Sequence, residues 1–505
     1  MESESEGIAD IILSSGLFAS SGMISRFFGF LGHIAIVQSL PPDVFGNITI
    51  SQAVVTTIIP IAVFGLGDGI PRLLAGSDSE AYDKKIISSG LISASGIGLT
   101  ASIVVFLGAP IIADGFNNPS ITPYLSILSI QIFFGVVWGA LRGTLRGYRL
   151  SKALAISKDI APKGTALIVL GLCVWILGPE TGALSYYLSL PIISAVVAAA
   201  AIYYLVEYKP SRPSASHTKE LFSFSIPLAL SSTFVILMLN ADMLFLGYLS
   251  SSTSVGYYRS VRPFSQLILI GLMSSVTIYM PLVTEFFESG RKDSVSRIYT
   301  VTTKWLAILT FPLVGVFVLF SPEVVVGFLS EEYKPAAIVL SILSIGMYGR
   351  VFVGPNGATT QAIGRPKIEF YAGILGVIVN ICFNIVLIPS FGIAGAAIAT
   401  SMGFTAYNIL ELTIIYREIG AHPFSMNMVK PLIPSTILGF ILYSILPDGL
   451  SLPALIGVGI FWTLCQVLFV VATDSFDKMD RDILLEMDSE LTTKLISYID
   501  RVERS

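Results

Sequence analysis

The chain has 505 residues, of which 53% are hydrophobic and 13% charged; its mean hydropathy of +0.79 is that of a protein solvated mostly by lipid. Apolar runs recur almost throughout at the ~20 residues that one membrane span needs, which excludes a large water-soluble catalytic domain. The net charge of −4 says less than where the charges lie, and the scattered Cys173, Cys382, Cys465, His33, His217 and His422 suggest neither a disulfide framework nor a metal cluster.

Apolar segments are expected at 11–39, 47–71, 86–112, 120–141, 159–178, 182–206, 221–248, 255–283, 298–320, 336–356, 368–388, 392–415, 429–446 and 452–472. The acidic start "MESESEGIAD" lacks the basic region of a secretory leader, so the first run is read as a retained helix. Lys and Arg number 23 in the loops and tail on one side of this scheme, counting Lys430 at the start of its segment, against Lys334 alone on the other. The positive-inside rule then places both termini in the cytoplasm of a multi-pass cell-membrane protein.

An internal duplication runs through these elements. "LSILSI" occurs at Leu125–Ile130 and at Leu340–Ile345, 215 residues on; Gly46 and Gly256, and Pro71 and Pro281, are 210 apart; Gly182-Ala183 and Gly395-Ala396 are 213 apart. Order is kept while the offset drifts, as loop insertions would cause. The expected fold is an all-α membrane protein of about 14 transmembrane helices: two parallel-repeat six-helix bundles around a central cavity, plus two extra C-terminal helices. The lobes are 1–207 and 221–417, joined by a cytoplasmic Pro/Ser-rich linker at 208–220; helices 13 and 14 occupy 418–473 and an amphipathic cytoplasmic tail 474–505. Paired lobes of this size favour transport by rocking about a central crevice over a merely stable bundle.

Charges inside the spans carry the functional reading. Arg26, in "SGMISRFFGFLGHIAIV", is ten or more residues from either end of its segment. A central arginine costs ~2.5–3.5 kcal/mol on insertion scales, so it needs protein or a wet cavity around it. It forms a structural ion pair or receives an anion; a guanidinium's paired donors suit phosphate oxygens. In "SVGYYRSVRPF", Arg259 and Arg262 share one helix face and either line a cavity or anchor at the interface. "LNADMLF" sets Asn240 and Asp242 deep in an apolar run, Asp242 as the only deep acid, available to pair with an arginine or to bind a coupling Na+ or H+. Arg142, Arg146 and Arg149 form a stripe that anchors its helix against lipid headgroups or recruits an anionic lipid. Lys163 and Lys304 are expected to snorkel, and "GMYGRVFVGPNG" suggests that a helix breaks after Arg350. No catalytic set is assigned: "GIGLTA" at Gly96 lies within an apolar helix, and "DRD" at Asp480–Asp482 belongs to the surface tail. No resident cofactor or nucleic-acid partner is expected.

The stretch from Ser21 to Ala75, with Ser-Arg-apolar-apolar-Gly-Phe in its first helix, resembles the opening of polysaccharide flippases of the multidrug/oligosaccharidyl-lipid/polysaccharide exporter superfamily, which includes the bacterial lipid II flippase. "LNADMLFLGYLSSSTSVGYYRSV" resembles that family's start to its second half, and the likeness covers most of 15–417. It implies that Arg26, and with it Arg259 and Arg262, holds a lipid pyrophosphate. Gly32-His33 stands where the family commonly has Arg-Asp. The implied activity is flipping of an undecaprenyl- or dolichyl-linked oligosaccharide for surface polysaccharide or glycoprotein assembly, with membrane lipid and glycan-assembly enzymes as partners. A cation-coupled multidrug antiporter of the same superfamily and a membrane glycosyltransferase are the alternatives.

Overall fold

The computed structural model describes residues 22–77, 79–476 and 480, with side chains omitted at 227–239. Among them every regular element is helical. The described chain forms two compact units, Met1–Ser260 and Val261–Ser505.

In unit 1, α1 (22–39) leads to α2 (Pro42–Val63), α3 (Leu66–Ala75) and α4 (Glu80–Gly115). There follow α5 (Thr122–Leu128), α6 (Ile130–Gly147), α7 (Ser151–Ala155), α8 (Ala161–Leu177), α9 (Pro179–Leu205) and α10 (Ala215–Leu249). The division falls within α11 (Ser252–Leu267). Unit 2 continues with α12 (Ile270–Glu288), α13 (Lys292–Leu319), α14 (Ser321–Phe328), α15 (Ala337–Phe352), α16 (Asn356–Ala362) and α17 (Pro366–Ile419). It closes with α18 (Met426–Val429), α19 (Leu432–Ile445) and α20 (Leu452–Ala472). Eleven described stretches are long and apolar enough to cross a membrane. One of them, α17, has 54 residues and turns at Gly392, whose φ of 56° is left-handed, so it holds two of the expected spans. With α1 and α10, a helix stands at each of the fourteen expected positions among the described residues, the first of them from residue 22 on.

Local chemistry explains the element ends. Proline stands in the first turn of α2, α8, α9, α17 and α20, where its missing N–H costs nothing. Ser79 and Ser425 cap α4 and α18 by accepting from Tyr82 N and Met428 N. A π turn at Ile156–Ile160 joins α7 to α8.

The repeat seen in the sequence has contacts to match. A Cβ on Gly46 would strike Ser252 O, and one on Gly256 would strike Pro42 O, so α2 and α11 cross backbone to backbone. Both partners are offset by the same 210 residues. At the α8–α9 turn a Cβ on Gly182 would strike Val174; at the bend of α17 one on Gly395 would strike Leu387 O, again with both positions shifted by 213. The units follow packing rather than repeat order: α10, which opens the second repeat, packs on α2, α3 and α4 within unit 1.

The two helices outside the repeat are held by one tryptophan. Trp462 of α20 is 1% exposed and lies against Gly315 of α13 and Gly439 of α19. Its Nε1 donates to Ser435 Oγ at 2.8 Å, which satisfies the only polar atom of a buried indole.

One expectation fails here. Lys304 does not snorkel: it is 1% exposed and ion-paired with Asp480, itself 2% exposed. Its ammonium also donates to Ser475 O at 3.3 Å, and Trp305 Nε1 donates to Asp480 Oδ1 at 2.8 Å. Asp480 is therefore a buried partner and not part of a surface tail. A lysine stem near a span end can bend toward the interface, but this one has a carboxylate to meet inside the protein. The other described tail positions reach only to 476; residues 481–505, and with them Arg481 and Asp482, lie outside the described residues.

Candidate functional site

In unit 1, Arg26, Gly29 and His33 are spaced by three and four and so share one face of α1. Arg26 is exposed, and no described residue pairs with it. Lys163 of α8 crosses to the same face: its Nζ lies 3.2 Å from where a Cβ on Gly29 would stand. Its head is thus drawn against α1, close enough to feel the Arg26 charge. Glycine at position 29 makes the crossing feasible. Seven residues along from Arg26, at ~1.5 Å per residue, the buried His33 ring meets Ser260 O through Nε2 at 2.8 Å. Arg259, half-buried, is within electrostatic reach of His33 and of Tyr186 and Tyr187 in α9. Gly32 lies under the Tyr186 ring, at 2.7 Å for a notional Cβ. One face of α1 therefore collects cations from α1 and α8 at one end, and from α11 two helical turns away.

The other expected site residues separate from this stripe. Asn240 donates to Thr56 Oγ1 and Thr57 Oγ1, each at 3.2 Å, tying α10 to α2. Asp242, 3% exposed, accepts from Tyr258 OH at 3.1 Å. Arg146 donates to Asp68 Oδ1 at 2.6 Å and Gly67 O at 3.3 Å, while Arg142 stacks over Trp138 at 5.4 Å with its guanidinium against Gly67. These two arginines clasp the start of α3. Arg262 falls in unit 2, where it is half-buried.

Asp242 is not the sole deep acid. Glu411 in α17 is 0% exposed, and around it unit 2 gathers Glu369, Tyr407, Asn408, Asn356, Thr360 and Gln361. The sequence signal was a single glutamate in "YNILELTII", near the expected end of a span, where it passes for an interfacial residue. Helical rotation, legible only in three dimensions, turns it inward. The helix break expected after Arg350 is present: α15 stops at Phe352, Gly354 takes a φ of 76°, and α16 restarts at Asn356. Arg350 stacks over Phe404 at 5.5 Å and Tyr407 at 5.7 Å. No group of three or more His, Cys, Asp or Glu gathers as a metal site among the described residues.

These features define an all-helical membrane transporter fold with a cationic stripe on its first described helix. Residues 14–287 match the polysaccharide biosynthesis protein family, and the chain belongs to that family. Residues 227–386 also match the MatE model. A probable low-salt glycan biosynthesis flippase, Agl15 of Haloferax volcanii, is 24% identical over 77% of this chain and 80% of its own length. The solved lipid II flippase MurJ, in an inward closed conformation, superposes with a TM-score of 0.72 at 16% identity, covering 89% of this chain and 98% of that one. A multidrug resistance MATE family transporter in an inward-facing conformation gives a TM-score of 0.62 at 16% identity, over 80% and 98% of the two chains. The chain thus shares the fold of both flippases and drug exporters.

Proposed function

We propose that this protein is a flippase that carries a polyprenyl-phosphate-linked oligosaccharide across the cell membrane by alternating access of its two repeats, with both termini cytoplasmic. The observation that carries the reading is Arg26: a permanently charged, exposed guanidinium without a described carboxylate partner, with a second cation, Lys163, over the same helix face. Asp159 lies within electrostatic reach of Lys163, but the Arg26 guanidinium has no described carboxylate partner and suits a ligand that brings its own negative charge, as a sugar phosphate or pyrophosphate does. Arg259 extends the stripe within unit 1, and Arg262, in unit 2, is a separate candidate contact. The lipid tail stays in the bilayer, so the protein need shelter only the polar head. Membership of the polysaccharide biosynthesis protein family supports the substrate class, and flippase relatives supply a precedent in chemistry.

Replacing Arg26 by Ala and by Lys in cells lacking the native copy tests it. Loss of a charged hydrogen bond worth about 1.5–3 kcal/mol should cut surface glycan output roughly tenfold to a hundredfold for Arg26→Ala. Lipid-linked precursor should build up in the inner leaflet, with partial rescue by Lys. Normal glycan and no precursor build-up in the Ala variant would remove Arg26 from the site.

The MATE-like fold supports one rival, a cation-coupled multidrug antiporter. A site for cationic drugs needs net negative charge, whereas the α1 face carries net positive charge. Deletion should therefore leave drug sensitivity unchanged.

A further inference from the structure

We infer that Glu411 is a proton-binding site and that, given the flippase reading above, it carries the proton that couples transport to the transmembrane gradient. Three oxygens converge on Gly357. A Cβ there would stand 3.1 Å from Tyr407 OH, 3.6 Å from Glu411 Oε1 and 3.7 Å from Glu369 Oε1. The space is kept open by the absence of a side chain. Glu411 is 0% exposed, and its Oε2 has no partner among the described residues. An ionised carboxylate in that position would leave a full charge unsolvated, whereas the neutral acid buries at far lower cost.

The hydroxyls of Tyr407 and Thr360 offset only part of that cost, since neither reaches Oε2. Thr360 Oγ1 donates to Gly357 O at 2.9 Å and reaches Glu411 Oε1 only at 3.5 Å, so its one hydrogen is largely committed elsewhere. Glu369 Oε2 accepts from Gln361 Nε2. The charged and titratable groups facing Glu411 are Glu369 and Tyr407 on α17, Arg350 on α15 and Tyr299 on α13. Arg365 and Glu418 close an ion pair of their own at 2.9 Å. One guanidinium among two carboxylates leaves one negative charge to be neutralised, and a single proton does so. Glu369, only half-buried, is the group through which that proton exchanges. Asn356 and Asn408, bonded to each other at 3.1 Å, wall the site with neutral amides.

The test uses the purified full-length protein in lipid nanodiscs and a hydrophobic carbodiimide, which attacks protonated carboxyls in apolar surroundings. Peptide mapping of the wild type should find the adduct on Glu411, falling about tenfold per pH unit once the proton dissociates. Absence of the adduct at acidic pH, or protection by sodium at fixed pH, would overturn the proton site. In cells, translocation by Glu411→Gln should lose its response to a protonophore, whereas the wild type and Glu418→Gln should keep it. A Glu411→Gln protein that retains wild-type gradient dependence would overturn the coupling role. If Glu411 labels as expected while the deletion strain shows normal lipid-linked glycans, the flippase reading fails and the proton site stands.

Discussion

A charge taken out of water in this protein is stabilised by a partner that the fold brings to it. Lys304 and Asp480 are 176 residues apart and each nearly inaccessible. Breaking such a pair strands the remaining charge, at about 3–5 kcal/mol. Lys304→Met and Asp480→Asn should each lower the unfolding temperature sharply in detergent. The double variant Lys304→Met/Asp480→Leu should recover most of the loss, because the cost lies in the unpaired charge rather than in the missing bond. By contrast, Arg146 and Asp68 are 46% and 36% exposed. An exposed pair contributes ~0–1 kcal/mol, so Asp68→Asn should leave thermal stability within about 1 kcal/mol of wild type.

Among the helices, close approach is set by glycine, and glycines that space backbones differ from those that do not. A methyl at Gly46 or Gly256 would enter the carbonyl of the opposing helix, whereas nothing lies within 4 Å of one at Gly96 or Gly171. Gly46→Ala and Gly256→Ala should therefore both reduce folded yield, to a similar extent. Gly96→Ala should be neutral or stabilising, since alanine is favoured over glycine in a helix interior by about 1 kcal/mol. Thermal unfolding of the three purified variants would check the contrast. Most helices were legible in the sequence because apolar length and glycine or proline punctuation are local properties. The inward turn of Glu411 and the burial of Lys304 were not, because each depends on rotation and on a partner distant in the chain. Gln361 likewise falls between the expected segments 336–356 and 368–388, and Glu369 at the very start of the second.

At the scale of the whole chain, the stripe on α1 and the polar cluster in unit 2 separate two tasks: fixed positive charge in one place and exchangeable positive charge in another. Arg26 can lose no proton under physiological conditions, so substrate affinity at that point should not vary with pH, while turnover should follow the protonation of Glu411. Measuring precursor translocation against pH at saturating substrate, for wild type and Glu411→Gln, should give a pH-dependent rate in the first and a flat one in the second. The candidate cations were found in the sequence because a charge in an apolar run is conspicuous. Which of them meet one another was not, since Asn240 and Arg146 turn out to join helices.

The reciprocity of the α2–α11 crossing reaches further back than the present chain. A contact in which residue 42 meets 256 and residue 46 meets 252 maps onto itself when the numbering is shifted by 210, as an isologous interface between identical subunits would. Such a self-complementary surface is what a half-length ancestor would have used to form a homodimer before fusion made the association permanent.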